Sequence, residues 1–184
     1  IGVGIRVSAE AVGAGASGAS VRQNRLANCA IGLSFQSRSA ATNIASGNLI
    51  INDKSKNQVG ILLYNGTGSS TLNAVGNIVH NVQYAYDSND TSGVPATLNV
   101  AHTTIVQSNT GFRTNNQFLS LRNSLIQGCS VVLSGQTLSV TSSNNYLASN
   151  VNYGQYVLAP SDTVGPNITF DSATNFMPAS NSPV

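Results

Sequence analysis

Short stretches of alternating apolar and polar residues recur along the chain, and turn residues separate them. Examples are Leu98-Asn99-Val100, Leu119-Ser120-Leu121 and Leu138-Ser139-Val140. Alternation with a period of two predicts short, half-buried β-strands, because successive side chains of a strand point to opposite faces. No ten-residue stretch combines helical apolar spacing with N-cap chemistry. The pattern therefore predicts an all-β chain of many short strands.

These stretches belong to a repeat in which a Gly followed by an apolar residue recurs. The equivalent positions are Gly4, Gly32, Gly60, Ala85, Gly111, Val131 and Asn152, which gives steps of 28, 28, 25, 26, 20 and 21 residues. Three short strands in each repeat of this length predict a parallel β-solenoid with a triangular section and about six coils. Each coil would stack on the previous one at about 4.8 Å, the strand spacing of a sheet.

Asparagine recurs at a second position of the repeat, which Thr103 alone interrupts. The members of this column are Asn24, Asn48, Asn77, Asn123 and Asn144. Asparagine amides can stack as a ladder, and asparagine tolerates the left-handed backbone of a sharp bend. We therefore predict that the column is a structural ladder at one bend of the solenoid.

The Asn-x-aliphatic and Gly-aliphatic rhythm resembles the right-handed parallel β-helix repeat of the pectate-lyase-like superfamily. The resemblance covers residues 1 to about 157, and the tail from Ile168 to Pro183 is similar to the segment that closes bacterial members. It implies a right-handed parallel β-helix over residues 1–158 and an irregular closing segment over residues 159–184. It implies no single activity, because the superfamily includes lyases, hydrolases, epimerases, phage tailspikes and adhesins.

Charged side chains are scarce, at 8 % of the 184 residues, and the net charge is +2. An average soluble domain has about 25 %. Eight Lys and Arg residues are too few to neutralise phosphates along a basic face, which excludes that mode of nucleic-acid binding. Stacking explains the scarcity, because like charges at equivalent positions would form repelling columns. No apolar run approaches the ~20 residues of a membrane-spanning helix, so we expect no membrane span.

One column of the predicted solenoid brings opposite charges together. If the residue after each Gly points inward, the next one points outward, and this outward column reads Arg6, Ser34, Leu62, Asp87, Arg113, Leu133 and Gly154. Asp87 and Arg113 would then lie on adjacent coils, within contact distance. Asp87 also opens the longest polar loop, residues 88–95, and long loops on a rigid scaffold are where function concentrates.

The resemblance implies that a substrate groove lies along this sheet. In that interpretation Asp87 and Asp90 are ligands for Ca²⁺ or acid/base groups, and Arg113 binds a sugar carboxylate or acts as the base. Tyr64, at the edge of the groove, would stack on a sugar ring. Two carboxylates hold Ca²⁺ only weakly, and the Asp pairs and Gly-His-Gly of the hydrolases are missing. The competing interpretation is a surface ion pair worth about 0–1 kcal/mol, with Tyr64 an ordinary exposed side chain.

Two functions stay open, and with them the question of whether the protein is an enzyme. The first is an extracellular module of pectate-lyase type that binds or cleaves an acidic polysaccharide. The second is a non-catalytic structural or adhesive β-solenoid at the cell or virion surface, such as a phage tail fibre, an adhesin or a filament subunit. Because residues 1–5 read as a strand already under way, we expect another part of the chain or a second subunit to cover the open end.

The cysteines and histidines predict no shared site. Cys29 and Cys129 fall at similar corners four coils apart, which is about 19 Å of stacking and beyond the ~7 Å reach of a disulfide. We therefore predict two unpaired thiols. His80 and His102 fall at different repeat positions, so they should not share a metal ion.

Overall fold

The computed structural model describes residues 2–9, 18–37, 40–53, 58–65, 68–88, 93–171 and 176. Over these residues the chain is all-β, without a helix, and forms a parallel β-solenoid of about 5 turns. The predicted fold class is therefore confirmed. Asp90, one of the candidate metal ligands, lies outside the described residues.

The strands are short because a turn or bend interrupts each coil at its corners. In chain order they are β1 (Val3–Ala9), β2 (Ser20–Arg22), β3 (Arg25–Ala27), β4 (Ile31–Ser37), β5 (Thr42–Ser46), β6 (Leu49–Ile51), β7 (Val59–Asn65), β8 (Thr71–Val75), β9 (Ile78–His80), β10 (Tyr84–Ser88), β11 (Ala96–Ala101), β12 (Thr104–Val106), β13 (Thr110–Arg122), β14 (Leu125–Gln127), β15 (Val131–Ser143), β16 (Tyr146–Ala148), β17 (Asn152–Gly154) and β18 (Thr163–Gly165).

Parallel pairing between coils arranges these strands in three faces. The first face contains β1, β4, β7, β10, the N-terminal halves of β13 and β15, and β17; the second contains β2, β5, β8, β11 and the C-terminal halves of β13 and β15. The third face is the seven-stranded sheet from β3 to β18. Each complete coil thus contributes one strand segment to each face.

The first two faces merge in the coils of β13 and β15. These strands are 13 residues long and bend at the corner without a separating loop. Gly135 makes the bend of β15 with φ of 95°, and a Cβ added there would lie 1.9 Å from the carbonyl oxygen of Thr114. Only glycine fits this close approach of two backbones.

Inward-facing apolar columns fill the interior. On the first face the column consists of Ile5, Leu33, Ile61, Tyr86, Phe112 and Leu133. On the third face it consists of Leu26, Ile50, Val79, Ile105, Ile126 and Leu147. The Tyr86 and Phe112 rings are fully buried and stack with centroids 5.2 Å apart. Burial raises the pKa of Tyr86 above its ordinary value, so its hydroxyl stays protonated.

In the last two coils the repeat alignment is shifted by one residue relative to the register of the structure. The structure pairs Leu133 with Phe112, whereas the alignment placed Val132 there. On the third face Ile126 pairs with Ile105, in place of Leu125. At both places consecutive residues of the chain are apolar. Polarity alone therefore does not determine which of them points into the interior. Backbone hydrogen bonding to the preceding coil selects one phase.

The C-terminal region continues the stack and then returns over the third face. β18 pairs with β16, so stacked strands extend past residue 158, where we expected the irregular segment to begin. The Gln127 side chain then donates to the carbonyl oxygen of Ile168 and accepts from its N–H, at 3.1 and 2.7 Å. Phe176 contacts the ring of His80, with centroids 5.2 Å apart. Residues beyond β18 therefore cover part of the outer surface of the third face.

Cys29 and Cys129 occupy equivalent positions after β3 and β14, and neither forms a disulfide.

Among the described residues, no helix is both long enough and apolar enough to cross a membrane.

Candidate functional site

Buried hydrogen bonds run along the bend between the second and third faces. The Oδ1 of Asn48 accepts from the backbone N–H and the side-chain amide of Asn24, at 3.1 and 3.0 Å. Asn77 accepts in the same way from Asn48, at 3.1 and 2.9 Å. Asn77 also donates to the carbonyl oxygen of Ala45 at 2.8 Å. Each amide thus connects its own coil with the preceding one.

The column continues through different residue types. The backbone N–H of Thr103 donates to Ser124 Oγ at 3.2 Å, and the N–H of Ser124 donates to Asn145 Oδ1 at 3.0 Å. Asn123 and Asn144, which the alignment placed in this column, lie one residue earlier at φ of 48° and 55°. Because asparagine is favoured both in a ladder and in left-handed backbone, residue type could not separate these two adjacent positions.

Asp87 and Arg113 form a bidentate ion pair on the outer side of the first face. They are register partners on β10 and β13, as the repeat spacing predicted. The guanidinium Nε donates to Oδ1 at 3.0 Å, and an Nη donates to Oδ2 at 2.5 Å. Asp87 is only 5 % exposed, whereas Arg113 is 30 % exposed and lies 3.7 Å from the ring centroid of Tyr84. The hydrogen bonds to Asp87 raise the pKa of Arg113 above its ordinary value.

This geometry limits the chemistry of the pair. Both oxygens of Asp87 accept from Arg113, so a cation would have to displace the guanidinium to reach them. The described residues contain no group of three or more His, Cys, Asp or Glu that could hold a metal ion. The described residues therefore add no cluster of carboxylate ligands to Asp87, and the other candidate Ca²⁺ ligand, Asp90, lies outside them. The arrangement instead fixes two coils together beside Tyr84.

Tyr64 lies on the outer side of β7, two residues beyond Leu62, which is the register partner of Asp87. It is register partner to Gln36, and its side chain is 48 % exposed. Gln36 in turn accepts hydrogen bonds from the guanidinium of Arg6 on the preceding coil. Tyr64 thus offers an accessible ring on the first face, with arginine and amide groups on the neighbouring coils.

The two histidines are not brought together. His80 is on β9 in the third face, and its Nε2 lies 3.1 Å from Gln107 Oε1. His102 is exposed at the bend between the second and third faces, with φ of 51°.

A groove on the second face is a feature that the sequence analysis missed. Its volume is about 300 Å³, and its walls are formed by Asn73, Val75, Asn99, Val100, Ala101, Ser120 and Arg122. The Asn99 amide donates to Asn73 Oδ1 at 2.9 Å along one side. The alternation in Leu98-Asn99-Val100 marks Asn99 as outward-facing, but no sequence pattern shows the depth of a depression.

A polar network closes the C-terminal end of the interior. Oδ2 of Asp162 accepts from the hydroxyls of Ser142 and Tyr156, at 2.5 and 2.8 Å, and from the N–H of Ala159. Its Oδ1 accepts from the N–H and amide of Asn145. Burial opposes ionisation of Asp162, but these hydrogen bonds outweigh it and hold its pKa below the ordinary value. Burial also raises the pKa of Tyr156 to about 12, which keeps its hydroxyl protonated.

Replacing Asp162 by Asn is expected to lower the free energy of unfolding by about 1–2 kcal/mol at pH 7, because charge-assisted hydrogen bonds are lost. A folded-state pKa below the unfolded value stabilises the protein above about pH 4, and this contribution disappears as the pH falls through the folded pKa. The stability difference between the wild type and Asp162→Asn should therefore shrink below about pH 4. Urea unfolding at several pH values measures it, and a difference independent of pH would contradict this role.

Comparison with protein-family models, curated proteins and solved structures finds no match to this chain. The fold is assigned by the strand pairing of the structure, and the site by its geometry.

Proposed function

We propose that this chain is a β-solenoid module that binds an acidic polysaccharide on its outer surface without cleaving it. The distribution of charge carries the proposal. Of the four carboxylates in the described residues, Asp87 and Asp162 are engaged in internal contacts, whereas Asp53 and Asp171 are exposed. Four arginines in the same part of the chain are exposed: Arg6, Arg22, Arg25 and Arg122. The exposed arginines thus outnumber the exposed carboxylates of the described residues, on a surface made mostly of amide and hydroxyl groups.

Such a surface matches a carboxylated sugar polymer. Guanidinium groups bind carboxylates in bidentate fashion, and the intervening Asn, Ser and Thr side chains can exchange hydrogen bonds with sugar hydroxyls. The exposed ring of Tyr64 adds an apolar platform for a sugar ring. The charges are too few and too dispersed for the dense phosphates of a nucleic acid. Polymers of this kind occur outside cells, so the proposal includes an extracellular or surface location.

The absence of cleavage in the proposal rests on the state of Asp87 and Arg113. A lyase base must be accessible to the sugar proton. Here the guanidinium donates to both oxygens of a carboxylate that is only 5 % exposed. Because the two groups are hydrogen-bonded to each other, neither is in position to transfer a proton to or from a sugar.

We expect the protein to bind polygalacturonate at least ten-fold more tightly than the fully methyl-esterified polymer, a difference of about 1.4 kcal/mol. The ester has the same sugar ring and lacks only the charge. Titration calorimetry measures both affinities, and added salt should weaken the first because exposed charges are screened. Equal affinity for both polymers, or none for either, would overturn the proposal. Unsaturated products in the presence of Ca²⁺ would overturn its non-catalytic part.

A structural or adhesive solenoid that self-associates is the second candidate. β1, β2 and β3 lie at the edges of their sheets in the described structure. Ile5 and Leu26 at this end are only half-buried, whereas Leu33 and Ile50 in the next coil are fully buried. Edge strands beside apolar surface can pair with strands of another chain. Failure to bind any acidic polysaccharide, together with concentration-dependent association in sedimentation, would favour this candidate.

A further inference from the structure

We infer that the groove on the second face is a subsite for one uronic acid residue, with Arg122 as the group that binds its carboxylate. This inference rests on the proposed function and goes beyond it by naming the site. It departs from the expectation that the substrate lies along the first face.

The shape of the groove comes from three residues in one column. Val75, Ala101 and Arg122 are register partners on consecutive coils of the second face. Ala101 is the smallest of the three, so a depression forms between its larger neighbours. Val75 is 41 % exposed at one end, although it is apolar. Val75 can therefore contact the C–H face of a sugar ring from one side of the depression.

A second column supplies groups for hydrogen bonding. Asn73, Asn99 and Ser120 are likewise register partners beside the first column. The Asn99 side chain donates through its Nδ2 to Asn73 Oδ1, so its own Oδ1 takes no part in this bond. No described residue donates a hydrogen bond to that oxygen or bonds to Ser120 Oγ. These groups are available for sugar hydroxyls.

The charge in the groove is positive only. Arg122 is exposed, and no carboxylate is among the lining residues. No described residue forms an ion pair or side-chain hydrogen bond with its guanidinium. Arg113 on the first face differs, because Asp87 already neutralises it. Arg122 is therefore a cation placed beside hydroxyl-binding groups and the apolar side chain of Val75, which is the combination that a uronic acid requires.

The test compares Arg122→Gln with Arg22→Gln. Arg22 is an exposed arginine in the same outward column, four coils away through Ser46, Val75 and Ala101, or about 19 Å. Both variants lose one charge, so they change the overall field equally. For a galacturonate hexasaccharide we expect Arg122→Gln to weaken binding about ten-fold, as for the loss of a charged hydrogen bond. Arg22→Gln should weaken it by only about two-fold, because Arg22 adds to the positive charge of the surface but lies outside the groove.

A third variant tests the groove without removing a polar group. Ala101→Leu fills the depression and should weaken binding of the hexasaccharide about as much as Arg122→Gln does. Thermal unfolding midpoints close to that of the wild type show that the variants are folded. If the wild type binds the hexasaccharide and the two variants, Arg122→Gln and Arg22→Gln, bind it with equal affinities, the subsite is overturned and the proposed function stands. No binding by the wild type would overturn both.

Discussion

Replacing Asn77 by Ala is expected to lower the free energy of unfolding by about 4 kcal/mol. Asn77 is fully buried; it accepts from the N–H and amide of Asn48 and donates to the carbonyl oxygen of Ala45. The truncation leaves several buried polar groups without this partner, and each costs about 1–3 kcal/mol. The loss is a large fraction of the 5–15 kcal/mol that stabilises a typical domain. Urea unfolding followed by circular dichroism measures it.

Two variants make this prediction specific. Asn77→Ser should recover about half of the loss, because Ser124 at the equivalent position both accepts from the N–H of Thr103 and donates to the carbonyl oxygen of Arg122. Asn99→Ala removes an asparagine on the outer face and should cost less than about 1 kcal/mol. If Asn77→Ser were as unstable as Asn77→Ala, the loss would come from volume and not from the ladder.

Replacing Arg113 by Ala is expected to lower the free energy of unfolding by about 3 kcal/mol. The Asp87 carboxylate is buried, and it would lose two hydrogen bonds from the guanidinium. Removing one partner of a buried ion pair is costly because the other charge keeps its desolvation penalty. Asp87→Ala should cost only about 1 kcal/mol, since the partly exposed Arg113 can turn to water.

The double variant separates an ion pair from a catalytic site. Asp87→Ala combined with Arg113→Ala should be about as stable as Asp87→Ala alone, because no buried charge is then left. Binding of polygalacturonate by the double variant should stay within about two-fold of the wild type. A stable Arg113→Ala protein that has lost polysaccharide binding would instead place this pair in a functional site.

The sequence was most informative where residue types differ sharply between neighbouring positions. The Gly-Ile and Gly-Leu pairs at residues 4–5, 32–33 and 60–61 identify the inward column of the first three coils. That phase places Asp87 opposite Arg113, as the structure has them. It also places Asn24, Asn48 and Asn77 in one column, where they form hydrogen bonds.

The same reasoning was wrong by one residue in the coils of β13 and β15. At Val131-Val132-Leu133 and Asn123-Ser124 each neighbour is chemically suited to the same position. The structure places Ser124 and Asn145 in the ladder. The physical reason is that backbone hydrogen bonds to the adjacent coil determine the phase, and they depend on where the whole strand lies.

The sequence by itself determined the fold class, the three-strand coil and the neighbours across the earlier coils, because a recurring pattern places equivalent residues above one another. Tertiary structure alone decided which of these neighbours are available to a ligand. Asp87 and Arg113 are close, as predicted, yet burial makes them each other's partners. No sequence pattern marked Arg122 as a candidate residue, but the small Ala101 beside it creates a groove. Depth and exposure depend on the sizes of side chains that stacking brings together from distant parts of the chain.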